Sequence, residues 1–110
     1  MEKTLAPIIS LISKSEKAIE KLKQGSWQHT MLEGNLRALH YALSLMDTTK
    51  SKRESLSDTE VKEYLKSLDS MITKTKIAQK KFPLGTAQHT LLKNRLHALA
   101  IAKVFTKRAH

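Results

Sequence analysis

The chain has no cysteine, which excludes disulfides, thiolate metal centres and thiol nucleophiles, and agrees with a reducing, cytoplasmic compartment. With three glycines there is no glycine-rich phosphate loop. Aromatic residues are scarce: Trp27, Tyr41, Tyr64, Phe82 and Phe105 make up the set, and several fall where a core is expected, leaving little for base stacking. No apolar run approaches a membrane span. The segment from Leu5 to Ile12 comes nearest to a signal-peptide core, but Glu2 precedes it, Pro7 interrupts it and no small-residue cleavage site follows. It reads as the start of a soluble helix.

Acid is missing from one whole stretch. Between Ser70 and His110 there is no Asp or Glu, whereas Lys74, Lys76, Lys80, Lys81, Lys93, Arg95, Lys103, Lys107 and Arg108 are cationic, and the formal net charge is +10. Such a balance favours an acidic protein, nucleic acid or an anionic surface as partner, although lysine also keeps ordinary helices soluble.

What the chain does contain is a repeat. Gly25-Ser26-Trp27-Gln28-His29-Thr30 returns as Gly85-Thr86-Ala87-Gln88-His89-Thr90, and the match runs without a gap from Leu5–Ala42 to Leu65–Ala102. A unit of about sixty residues is too long for a solenoid repeat and long enough for two helices, so it reads as a duplicated helical hairpin. In the first copy Leu5, Ile8, Ile12, Ser15, Ile19 and Leu22 recur at helical spacing, with Thr4 as the expected N-cap. Gly25 suits the left-handed position that closes that helix, and Ser26 can cap the next. The second helix continues through His29, Leu32, Leu36, Leu39, Leu43 and Met46.

The polar stretch from Asp47 to Leu56 loses this rhythm and reads as a mobile connector. Ser57 and Glu60 then form a capping box, with Leu56 and Val61 placed as a hydrophobic staple. The third helix is expected to run through Leu65, Leu68, Ile72 and Phe82 until Pro83 stops it. Helix four carries His89, Leu92, Leu96 and Leu99 on one line, with Leu91, Ala98, Ala102 and Phe105 beside it.

These patterns predict one all-α domain over residues 1–110, an antiparallel four-helix bundle with repeat 1 over about 4–46, a connector over 47–56 and repeat 2 over about 57–107. The same stripes would also support a homodimer exchanging hairpins.

The repeated Gln-His-Thr is polar where the pattern expects apolar residues. A buried polar layer around His29 and His89 is the plain explanation. Metal binding by the two histidines lacks the carboxylates that bundle-core centres recruit, so neither a metal nor another cofactor is expected. An anion site is the third reading: Ser26, Gln28, His29, Lys81, Thr86, Gln88 and His89 surround two helix N-termini whose first turns hold no acid. Trp27, without a counterpart in the second copy, is expected to lie over the turn as a lid, or else to anchor a partner. The apolar run from Leu91 to Phe105, flanked by cations, resembles an interfacial helix, but the matching stripe on the second helix favours a core helix.

Paired carboxylates and a Ser-His-Asp order in a strand-turn context are both missing, so the expectation is a non-enzymatic interaction module that binds an acidic protein or other polyanion. Small-anion binding at the turn end and nonspecific, salt-sensitive nucleic-acid binding are the alternatives.

Overall fold

The computed structural model describes the backbone of residues 2–47 and 57–108, and side chains from residue 5 onward within those ranges. Four helices follow in order: α1 (Glu2–Glu20), α2 (Trp27–Met46), α3 (Asp58–Gln79) and α4 (Ala87–Arg108). The protein is all-α, and its packing is that of a four-helix bundle. Every pair of helices is in contact except α1 and α3, so among the described residues α2 and α4 form the short diagonal. The molecule is correspondingly flattened, 41 × 35 × 20 Å.

Small residues on the inner helices explain that diagonal. Ala38 and Ala42 of α2, and Ala98 and Ala102 of α4, are wholly buried, each pair spaced one helical turn apart. Side-chain size at the contact sets how closely two helix axes approach, and alanine lets them come nearest. Leu39 and Leu99 complete this centre with no exposed surface, and Ile8, Ile12, Leu68 and Met71 join it from α1 and α3. Full burial of one such side chain stabilises the fold by about 1.5–3 kcal/mol.

The core stripe differs in detail from the leucine line seen in the sequence. On α2 the buried residues are Asn35, Ala38, Leu39, Ala42, Leu45 and Met46, whereas Leu32, Leu36 and Leu43 are only half-buried. On α4, Leu91 is exposed and Thr106 is fully buried, its hydroxyl donating to the Ala102 carbonyl at 2.8 Å. Alanine carries little weight in a hydropathy pattern, yet here four alanines are as fully buried as Leu39 and Leu99.

Three helix boundaries also differ. The first helix begins at Glu2, so Thr4 lies inside it and is not its N-cap, and Pro7 lies inside it as well. It ends at Glu20, and the third helix ends at Gln79, before Phe82, which is exposed in the turn. Gly25 and Gly85 therefore do not close helices. Each is the third residue of a turn in which the Ser26 amide donates to the Lys23 carbonyl, and the Thr86 amide to the Pro83 carbonyl. Both have φ +90°, as a type II turn requires at that position.

The capping box is present: Ser57 Oγ accepts from the Glu60 amide and Glu60 Oε1 from the Ser57 amide, each at 3.2 Å. Val61 is buried. Its proposed staple partner Leu56, and the connector beyond Asp47, lie outside the described residues.

Candidate functional site at the helix turns and the α1/α4 groove

Ser26 and Thr86 cap their helices in the same way. Ser26 Oγ accepts from the His29 amide and Thr86 Oγ1 from the His89 amide, both at 3.2 Å. Each hydroxyl thus satisfies one of the free N–H groups at the start of its helix. The Thr86 proton is itself spent on the Pro83 carbonyl at 2.8 Å, so this hydroxyl has no proton to offer an anion.

His29 and His89 are half-buried and no hydrogen bond joins them, while Gln28, Gln88 and Lys81 are exposed. His29 has an acid beside it: Glu33 Oε1, one turn along α2, is 2.7 Å from Nδ1, within ion-pairing distance though not aligned as a hydrogen bond. The i,i+4 spacing was legible in the sequence. A carboxylate at this distance repels a second anion, and Lys93 stands at the same i,i+4 spacing from His89. The histidines thus sit in different charge surroundings. Among the described residues no group of three or more His, Asp or Glu side chains comes together in a way that could hold a metal ion.

The two turns lie toward one end of the molecule. Lys74 Nζ, near the end of α3, reaches Met31 Sδ, near the start of α2, at 3.1 Å. Farther along, the rings of Tyr41 and Tyr64 are 5.6 Å apart, so α2 and α3 pass each other in opposite chain directions. At the turn end Lys21, Lys23, Lys80 and Lys81 are exposed, with Glu20 the acid closest in sequence. Large apolar side chains stand among them. Leu84 is 89% exposed and Trp27 is 70% exposed, so Trp27 is no lid over the turn. As the first residue of α2 it points away from the helix contacts, which a hydropathy pattern does not register.

A second feature has no trace in the motif reading. A groove of about 690 Å³ lies between α1 and α4, lined by Ala6, Pro7, Ser10, Leu91, Asn94, Arg95 and His97. The residues sixty positions away from each of these line a smaller groove of about 350 Å³ between α3 and α2, made by Lys66, Ser67, Ser70, Met31, Gly34, Asn35 and Arg37, with Thr30 and Glu63 in addition. The two grooves differ in charge. Glu63 lines the α2/α3 groove, and among the described residues no acid lines the α1/α4 groove.

Arg95 is the residue that sequence reasoning passed over as one more surface cation. It is half-buried, has no acid partner among the described residues, and also lines the cavity behind it with Leu11, Met71 and Leu92. Burial strips water from the guanidinium and lowers its pKa from the ordinary arginine value. Its counterpart Asn35 is neutral and 6% exposed.

No helix is long and apolar enough to cross a membrane among the described residues. Comparison with known proteins finds no matching family model, curated protein or solved structure.

Proposed function

We propose that the chain is a small, basic, non-enzymatic interaction module that docks an acidic protein or other polyanion on its turn end. The scaffold is an antiparallel four-helix bundle formed by duplication of one helical hairpin. Support for the duplication comes from the paired turns, the paired hydroxyl caps and the two grooves lined by equivalent residues sixty positions apart.

One observation carries the reading of function. Trp27 and Leu84 stand exposed at the turn end beside Lys21, Lys23, Lys80 and Lys81. Exposed apolar anchors among predominantly positive charge have the composition of a docking surface: the large side chains supply contact area, and the lysines steer an oppositely charged partner. Interfacial tryptophan is among the residues most often found to dominate binding energy. A small-anion site made of Ser26, Thr86 and the histidines is the weaker alternative, since both cap oxygens accept from the helix and Glu33 adjoins His29.

Trp27 is the single tryptophan, so its fluorescence reports this surface without labelling. Titration with poly-L-glutamate should shift its emission to shorter wavelength, with an affinity that falls steeply as salt rises. A Trp27-containing variant with Lys80 and Lys81 changed to Gln should bind less tightly. In native extract treated with nuclease, wild-type protein should retain an acidic protein at moderate salt that a Trp27→Ser, Leu84→Ser variant loses. Unchanged Trp27 emission at saturating polyanion, or retention equal in both proteins, would place the interface elsewhere. Binding abolished by nuclease alone would leave only nonspecific nucleic-acid attraction.

A further inference from the structure

We propose that the α1/α4 groove is a binding site for a small monocarboxylate with an apolar body, its carboxylate held by Arg95 and its body lying against Ala6, Pro7 and Leu91. This site is separate from the turn-end surface and does not depend on it.

The argument begins with the pair of grooves that the repeat creates. The α2/α3 groove has the neutral Asn35 where the other has Arg95, and also has a carboxylate, Glu63, beside the cations Arg37 and Lys66. Across the molecule, the α1/α4 groove has the guanidinium of Arg95 and the imidazole of His97, and among the described residues none that lines it is acidic. A half-buried cation that has lost part of its hydration is stabilised by an anion of matching shape. For a guanidinium that match is a carboxylate, which accepts two parallel N–H bonds. A ligand carboxylate in this groove would supply the negative charge that Glu63 brings to the other.

Size and lining narrow the class further. A volume of about 690 Å³ is roughly double that of the counterpart groove and suits a small organic molecule rather than an ion. One reason for the extra room is Ala6, which stands where the other repeat has Lys66. The walls made by Ala6, Pro7 and Leu91 are apolar, and Leu91 is 46% exposed, a large aliphatic side chain open at the groove. Ser10, Asn94 and His97 add a few polar groups able to orient the ligand. A bare inorganic anion would leave the apolar walls in water, and a neutral apolar molecule would leave Arg95 without an anion.

The test uses 2-naphthoate as probe and the uncharged 2-naphthamide as control, followed by amide chemical shifts of the full chain. Naphthoate should shift amides in the stretches 6–10 and 91–97, and should bind about tenfold or more tightly than the amide. Arg95→Asn places at this position the residue that the other repeat already carries, so the fold is expected to survive; this variant should lose the preference for naphthoate. Leu91→Ser should weaken both probes alike, because it removes only apolar contact. Equal binding of acid and amide by the wild type would overturn the proposal. So would naphthoate shifts centred on the turn-end lysines, or naphthoate affinity unchanged in a folded Arg95→Asn protein. None of these results bears on the response of Trp27 to polyglutamate.

Discussion

Replacing Gly85 by alanine isolates one backbone effect. The residue has φ +90°, and a Cβ built there meets no atom within 4 Å, so the substitution creates no clash. What changes is the backbone: an L-residue held in the left-handed region loses about 1–2 kcal/mol. Alanine also restricts the unfolded chain, which offsets about 0.4–1 kcal/mol of that loss. Net destabilisation should be roughly 1 kcal/mol, and with about 4–8 °C of melting temperature per kcal/mol for a domain near this size, Tm should fall by about that amount. Gly25 has the same φ and the same open surroundings. The double variant should therefore fall about twice as far, since independent sites add. The decisive comparison is D-alanine at position 85, introduced by semisynthesis and followed by urea unfolding. D-alanine accepts positive φ and still restricts the unfolded chain, so it should stabilise by about 0.4–1 kcal/mol. An L-alanine protein with unchanged Tm, or a D-alanine protein less stable than wild type, would refute the turn geometry as the source of the effect.

Other outcomes follow from the core and the helix ends. Leu39→Ala and Leu99→Ala each remove a wholly buried side chain and should lower stability by about 2–5 kcal/mol in denaturant titration. Ser57→Ala removes the hydroxyl's bonds to the Glu60 amide and carboxylate, leaving the Ser57 amide's own bond to Glu60 Oε1, and should lose about 1 kcal/mol, with faster amide exchange confined to the first turn of α3. Thr106→Val should be neutral or slightly stabilising by calorimetry, within about 1 kcal/mol, since the hydroxyl bonds only a carbonyl of its own helix. Asp69→Asn removes the 2.7 Å pair with Lys103 at a solvent-exposed place and should change stability by no more than about 1 kcal/mol, less in high salt.

Local chemistry alone determined much of this protein. The hydroxyl caps at Ser26, Ser57 and Thr86, the capping box, the positive φ of Gly25 and Gly85 and the existence of four helices each depend on residues within a turn of one another, and all were legible in the chain. So was the i,i+4 placement of Glu33 beside His29. Tertiary structure decided the rest, because the deciding neighbours are distant in sequence. Hydropathy pointed to leucine as the centre of α2 and α4, but Leu32, Leu36, Leu43 and Leu96 are only half-buried, while Ala38, Ala42, Ala98 and Ala102 are wholly buried beside Leu39 and Leu99. Trp27 read as a lid and is exposed, since nothing in its own sequence window says whether another helix passes over it. Arg95 read as one of nine cations in an acid-free stretch. Only the packing of α1 across α4 turns it into a half-buried guanidinium beside a groove with no acid among its described lining residues, because burial of a charge is fixed by what lies across from it and not by its place in the helix.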